Sequence, residues 1–479
     1  MLKEVAPFER VWLALHGSSY VAKAIVSFIK FLERHLGAEF IYDQKHIGYQ
    51  SLELAKLFEL AETLRTRGII QSYGKNEDLS DEPRIAFWYI KYLDNKNDGS
   101  AGVSMDDHPL AFTKALAEAI ERRVWTLNDR FASLKIATTA EAEGNKKFIS
   151  PQRFAGYSIS QREKDPSLTI KSTDSFTWVK GYSWVEERQV WIPLQIVSVN
   201  GGQTQSKEPR IRATITTGIA THPLRIRALL SGALEVIERD AYIITWLNQL
   251  SPPRIDIDEL SERSKSLAQL IARCRRYRLL PHVLQLPTDA PTYAVCAVIE
   301  DATGTAPRFS FGTKADRDPA AAAEGALLEA LRTRIGTRRQ FMSDHDDWDP
   351  NTPLTEISGY KRMRYWSEGD RMNHLSFLIQ GEILPLVKEE WDSDTDEEHF
   401  SRIIRWCRKQ KYELVSVSYT DALDNLPGWH IEFVVIPELQ PLHYSEKLLC
   451  LGGERLKEIP RQFGYPAREP YLSDPHPFV

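Results

Sequence analysis

Cysteine is scarce. The four present, Cys274, Cys296, Cys407 and Cys450, lie far apart in 479 residues, and no C-x-x-C occurs. That excludes a cysteine zinc site and a disulfide framework, and leaves reduced, buried thiols in a cytoplasmic protein as the expectation. Long apolar runs are also missing. The most apolar helix-like stretch, residues 20–36, is interrupted by Lys23, Lys30, Glu33 and Arg34, so no membrane span is expected. Glu4, Glu9 and Arg10 come before it, which does not read as a signal peptide. Neither sign of charge is in excess: 61 basic against 66 acidic side chains leave a net charge of −5. A nucleic-acid binder working by bulk charge is thereby excluded.

The common catalytic signatures are absent as well. There is no G-x-x-x-x-G-K-[ST] and no G-x-G-x-x-G, so neither standard phosphate-cradling loop is present. There is no G-x-S-x-G and no H-E-x-x-H, which argues against a serine hydrolase or a zinc protease. If ATP is used, a less common site must hold it.

What is present suffices for a large core, with 42% apolar and 27% charged residues. The length suggests about three domain-sized units. Residues 1–75 read as a small helical or winged-helix-like module. Val21, Ile25, Phe28, Ile29, Leu32 and Leu36 recur at helical spacing up to Gly37, Glu39–Tyr42 is strand-like, and Ser51 opens a second helix that Gly68 ends. The polar stretch Gly74–Pro83 is the expected boundary, with one domain over residues 80–479. Within it, Phe176–Val199 reads as a hairpin, Tyr293–Glu300 with Arg308–Gly312 as a second strand pair, and Glu413–Tyr419 with His430–Ile436 as a third. Strand pairs with helices between them predict an α+β fold: helices laid on antiparallel or mixed sheets. The acidic runs Asp344–Asp349 and Glu389–His399 read as solvated loops, not metal cages.

The informative signal is a repeat. GVSMDDHPLAFTKALAEAIER starts at Gly102, GIATHPLRIRALLSGALEVIER at Gly218 and GTKADRDPAAAAEGALLEALRTR at Gly312. The leading glycine precedes Glu118, Glu235 and Glu329 by 16, 17 and 17 residues. An alanine stands seven residues before each glutamate (Ala111, Ala228, Ala322) and a small residue three before it (Ala115, Gly232, Ala326). Positions three, four and seven apart share a helix face, so small residues line up with the glutamate and let each helix pack close. Two copies carry E-x-x-E-R, as Glu118/Glu121/Arg122 and Glu235/Glu238/Arg239; the third has Glu329, Arg332 and Arg334. One such motif is usually a solvated face, but three registered copies point inward. Four carboxylates that meet form a natural cage for Mg2+, and neighbouring arginines suit phosphate oxygens.

At these residues the chain resembles the YcaO family, and specifically its ATP-dependent cyclodehydratases, which make azoline rings in ribosomally synthesised peptides. ITTGIATHPLRIRALLSGALEVIERDAYIITW resembles the family's S-N-G-x-A…L-E-x-I-E-R-D-A segment, and TWVKGYSWVEERQVWIPLQIV its preceding strand pair. VVIPELQPLHY and LGGERLKEIPRQFGY follow in matching order, and SDPHPFV resembles the proline-rich tail of the azoline-forming branch. The likeness covers about residues 80–479.

The resemblance implies ATP and Mg2+ as cofactors in a site without a P-loop. Carried over, it assigns Glu118, Glu121, Glu235 and Glu238 to the metal. It assigns Ser104, Thr216, Thr217, Arg122, Arg239, Glu329, Arg332 and Arg334 to the nucleotide. Arg239, Arg334 and the terminal carboxylate of Val479 are implied at the reacting atoms. The implied substrate is a precursor peptide with a leader, whose Cys, Ser or Thr side chains become thiazoline or oxazoline, as in bacteriocins and microcins. Implied partners are a separate E1-like leader-binding protein and an FMN-dependent azoline dehydrogenase in a hetero-oligomer. Thioamide or amidine formation, or a non-catalytic scaffold, are the alternatives. The sequence departs from the family at Thr216-Thr217-Gly218 for S-N-G, at Gly102-Val103-Ser104, which lacks a lysine, and at Val479 in place of a final proline.

Overall fold

A computed structural model describes residues 44–93, 99–126, 131, 134–199, 208–342, 348–357, 359–368, 370–386, 389–420, 428–466 and 468–478. The expected helix over residues 20–36, the strand-like Glu39–Tyr42 and Val479 lie outside them. The chain divides into two compact units, residues 1–76 with 86–119, and residues 77–85 with 120–479.

In the first unit, helix α1 (Gln44–Thr66) precedes an antiparallel sheet of β1 (Ile70–Lys75), β2 (Ala86–Tyr92) and β3 (Gly99–Ser104), and α2 (His108–Trp125) begins there. The helix expected to open at Ser51 starts at Gln44 instead. Gly48 and Ser51 are absorbed into its turns, because each costs a helix interior only a fraction to about 1 kcal/mol. Phe112 of α2 holds the core, stacked on Trp88 at 4.5 Å and tilted against Phe58 at 5.4 Å.

The second unit has two sheets among its described residues. One orders as β4 (Leu134–Thr138), β5 (Ser175–Ser183), β13 (Val415–Ser418), β14 (His430–Val435) and β7 (Ile219–His222), with β6 (Arg188–Pro193) paired to β5. The other runs β11 (Phe309–Asp316), β10 (Tyr293–Asp301), β9 (Leu279–Gln285), β8 (Arg254–Ile255) and β12 (Ile383–Leu384). All three expected strand pairs form and are antiparallel. The first stops short of Val199, because Pro193 ends β6 and Leu194–Val197 turns helical. The fold is α+β.

Helix α3 (Arg225–Leu247) runs between the two sheets' cores and is buried over most of its length. Leu229, Leu230, Ala233, Leu234 and Ile237 pack with Phe400, Ile403 and Cys407 of a helix at Asp396–Gln410. Ala241–Leu247 pack with Cys296, Val298 and Phe311 of the second sheet. A helix with apolar residues on both of these faces can only be central. Helix α4 (Pro319–Phe341) lies on β10 and β11.

The run Glu389–His399 is a loop as far as Thr395, as expected, and its last residues, Asp396–His399, open a helix. Thr395 and Glu398 form a capping box, Asp396 pairs with Arg227 and Arg317, and Asp394 with Arg402. Acidic residues suit a helix N-terminus, where backbone N–H groups are unpaired. All four cysteines are free and buried, and burial pushes the Cys450 thiol up to about 11 and Cys274 to about 12. Among the described residues no helix is long and apolar enough to cross a membrane.

Candidate active site

Each repeat is a strand followed by a helix, and its glutamate turns back onto its own strand. The Ala101 N–H donates to Glu118 Oε2 at 3.2 Å, Gly218 N–H to Glu235 Oε2 at 3.0 Å, and Thr313 N–H to Glu329 Oε2 at 2.7 Å. The small residues in register with the glutamates explain the approach. A Cβ on Gly102 would stand 1.9 Å from the Ala111 carbonyl oxygen, and one on Gly312 would stand 2.2 Å from that of Ala326. A Cβ on Gly232 would meet the Gly218 carbonyl oxygen at 2.4 Å. Helix and strand are thus in backbone contact, and a carboxylate reaches across with one oxygen held.

Gly218 has a second constraint. Its φ is +98°, and a Cβ there would lie 2.1 Å from the Val434 carbonyl oxygen on β14. Gly218→Ala combines backbone strain with a clash against main chain, and a loss of about 3 kcal/mol or more is expected. Urea unfolding of the variant measures it; an unchanged midpoint refutes the strain.

The second E-x-x-E-R joins the third repeat. Glu238, 2% exposed, accepts from Thr313 Oγ1 at 2.5 Å and Ala315 N–H at 3.0 Å, both on β11. Arg239 lies 2.9 Å from Glu238 and 3.5 Å from Glu235, and donates to Thr313 Oγ1 at 2.6 Å. Burial opposes its charge, but Glu238, Glu329 and Glu235 outweigh burial and raise its pKa. Burial likewise lifts Glu235 and Glu329, against the attraction of Arg239. Arg332 meets Glu329 Oε1 at 3.3 Å. Three carboxylates therefore surround Arg239, with Arg332 on Glu329 and Lys314 within electrostatic reach of Glu235.

Arg122, the counterpart of Arg239 in the first repeat, donates to Thr216 Oγ1 at 2.8 Å, so both arginines reach a threonine beside the next repeat's glycine. Thr217 is buried beside Thr216, and Ser104 is buried at the end of β3, opposite Ala86. Glu118 lies in the first unit and Glu121 in the second. Among the described residues no group of three or more acidic, histidine or cysteine side chains converges as a ready metal cage. Glu238 is bonded to Thr313, Ala315 and Arg239.

Arg334 lies elsewhere. It is 2% exposed, pairs with Glu82 at 2.9 Å and with Asp301, and donates to the Pro307 carbonyl at 2.8 Å. Its Nε and both terminal nitrogens bond to protein partners.

Residues 475–478 are held by the second unit. Trp366 donates to the Pro475 carbonyl at 2.7 Å, His476 Nε2 lies 2.6 Å from the His443 carbonyl oxygen, and Arg362 donates to the His476 carbonyl at 3.0 Å. Phe478 is buried against Tyr242, and Arg239 stacks over its ring at 4.3 Å. Phe478 thus lies beside the carboxylate–arginine centre.

The family model of the YcaO cyclodehydratase, ATP- and Mg2+-binding, matches residues 107–440. The chain belongs to the YcaO family. No curated protein matches the sequence. Among solved structures, a heterocyclase in complex with substrate and cofactor aligns at 18% identity and a TM-score of 0.69, over 86% of this chain and 55% of that one. This YcaO chain thus spans about half the length of that heterocyclase. YcaO from Methanopyrus kandleri, bound with AMPPCP and Mg2+, aligns at 17% identity and a TM-score of 0.59, over 81% of this chain and 91% of that one. A chain of the E. coli microcin synthetase McbBCD complex with pro-MccB17 bound aligns at 14% identity and a TM-score of 0.56, over 85% and 96%. At these identities the likeness is one of fold.

One residue was missed by the sequence reading. Asp240, next to Arg239, takes Arg455 at 2.7 Å and the Gln440 N–H at 2.7 Å, all three buried. It ties the VVIPELQ and LGGERL segments to the helix that carries Glu235. The available signal was a lone acidic residue opening the apolar run Ala241–Leu247.

Proposed function

We propose that this YcaO chain is an ATP-dependent peptide cyclodehydratase. The observation that carries the reading is the buried centre of Glu235, Glu238, Arg239 and Glu329, three carboxylates around one guanidinium, flanked by the chain's own tail. The donor set is all oxygen, held by backbone N–H groups, which fits Mg2+. Glu118, Glu121, Glu235 and Glu238 would hold it, Glu238 in exchange for bonds it now makes to β11. Bound Mg2+ would neutralise and bridge nucleotide phosphates. Arg122, Arg239, Arg332, Glu329, Ser104, Thr216 and Thr217 would surround the nucleotide.

In the proposed reaction a Cys, Ser or Thr side chain of the peptide attacks the preceding backbone carbonyl. The oxyanion takes the γ-phosphoryl group of ATP, and loss of phosphate leaves a thiazoline or oxazoline. An amide oxygen leaves poorly and a phosphate leaves well, so the protein's task is positioning and charge neutralisation. Arg239 is the residue suited to the developing charge, and the carboxylate of Val479, next to the seated Phe478, to moving the proton.

The partners follow from the family reading. The chain would act as one subunit of a hetero-oligomer on a leader-bearing precursor peptide, beside an E1-like leader-binding protein and an FMN-dependent azoline dehydrogenase. Residues 1–75 would form a separate module for docking, and residues 80–479 the catalytic domain. Four free, buried thiols favour a reducing, cytoplasmic setting.

The test is Mg2+-dependent ATP consumption with the partner protein and precursor, with peptide mass read alongside. Loss of one water per ring is expected, and removal of Phe478 and Val479 should abolish it while ATP is still bound. Exchange of oxygen for sulfur would identify thioamide formation instead. An assembled complex that neither consumes ATP nor changes the peptide would leave a scaffold.

A further inference from the structure

Beside the proposed centre the second unit contains a cavity of about 360 Å³ whose lining includes Glu208, Arg210, Arg212, Thr214, Tyr444 and Ser445. Two arginines face one small space. Arg210 reaches the Tyr157 hydroxyl, whereas Arg212 makes no ion pair or hydrogen bond with any described residue and has the Phe154 ring 5.4 Å away and the Cys450 thiol within electrostatic reach. The one carboxylate in the lining does not serve them. Glu208 accepts from the N–H and Oγ1 of Thr177, both at 2.7 Å, and from Gln195 Nε2 at 3.3 Å. Arg212 keeps part of its surface open to the cavity but is set deep enough that burial lowers its pKa to about 10. A guanidinium removed from water without an anion is costly, and native chains rarely leave one so.

The cavity's position says what the anion belongs to. Thr214 is two residues before Thr216, which holds Arg122, and Tyr444 follows His443, whose carbonyl contacts His476 of the tail. Tyr444 is also within electrostatic reach of Arg239. The space is therefore lined by the lead-in to Gly218 and by the segment after His443, the residue that holds His476. Tyr444, 41% exposed, supplies an aromatic wall on which a peptide can lie.

We propose that this cavity accepts a carboxylate of the substrate peptide, an acidic side chain near the residue to be cyclised, held by Arg212 with Arg210 at the mouth. The inference rests on the peptide-modifying reading above. It makes acidic flanking residues the preferred substrate class. Arg212 is then a specificity residue and takes no part in the chemistry.

The test is fluorescence anisotropy of the full chain with labelled short peptides containing one cysteine, identical except for a single Glu or Gln beside it, without ATP. The Glu peptide is expected to bind about tenfold tighter. Arg212→Gln should erase that difference, Arg212→Lys should keep most of it, and Arg210→Gln should reduce it. Arg212→Gln should melt no lower than the parent, since it removes an uncompensated buried charge. Equal affinities for the two peptides overturn the proposal, as does a preference that survives Arg212→Gln. ATP binding weakened by Arg212→Gln, with the peptides undiscriminated, also overturns it and makes this a phosphate subsite. Ring formation without carboxylate preference faults this inference alone. A preference that depends on Arg212, with no ring formed from any peptide, faults the reaction alone.

Discussion

Glu235→Gln should lower ATP-dependent dehydration of the precursor about 10³-fold, the size of effect seen when one preorganised charge-stabilising group is lost. Glu235 has one oxygen held by the Gly218 N–H, and its other oxygen lies 3.5 Å from Arg239, with the side chain 30% exposed. It is the most open carboxylate described around Arg239. Stability should move the other way. Burial raises its pKa in the fold above the ordinary carboxylate value, against Arg239. A carboxyl so raised destabilises the fold at pH above both values, and that cost fades as pH falls below them. Glutamine removes the cost, so the variant's Tm at neutral pH should hold or rise, and the stabilisation by added Mg2+ and ATP should vanish. Thermal melts with and without Mg2+ and ATP, beside peptide mass, read both effects. Near-wild-type turnover would dismiss this centre, and a collapsed Tm would make Glu235 a structural residue.

Arg334→Ala is expected to cost about 3–5 kcal/mol, because it strands buried charges. Glu82 and Asp301 face Arg334 from opposite segments, and Glu82 also takes Arg338, which reaches Asp81 at 2.7 Å. The arginine thus fastens residues 81–82 onto α4 and β10. Urea unfolding would show the loss. Arg239→Lys makes the contrast: a cation remains among the carboxylates, the fold should hold, and turnover should fall, since an ammonium lacks the planar fork and the stacking on Phe478. If Arg334→Ala unfolds at the parental midpoint but loses turnover, Arg334 belongs to the reaction after all.

The three repeats were legible because close packing imposes itself on sequence. A helix in backbone contact with a strand tolerates only glycine or alanine at the touching positions, and those recur in register with Glu118, Glu235 and Glu329. The direction of each glutamate was legible for the same reason. Its partner was not. Nothing local indicates that Glu118, Glu235 and Glu329 bond their own strands, or that Glu238 reaches forward to β11.

Spacing treats the arginines alike, and the fold separates them. Arg332 and Arg334 are two residues apart on α4, so they point to different sides of the helix. Arg332 meets Glu329, whereas Arg334 turns to Glu82, 252 residues away in the chain. The acidic run Glu389–His399 was legible only in part, for a similar reason. It is a loop as far as Thr395, but Asp396–Glu398 open a helix, and its carboxylates pair with Arg227, Arg317 and Arg402.

By itself the sequence determined the α+β class, the strand pairs, the absence of a P-loop and the small-residue faces that seat the glutamates. These depend on periodicity and volume, which are local along the chain. Only the tertiary structure decided which charges meet: Arg239 among three carboxylates under Phe478, Arg334 in a buried network, Asp240 on Arg455, and Arg212 left facing a cavity. Charge pairing acts through space between residues hundreds of positions apart, and burial sets its strength. Neither quantity is written in spacing.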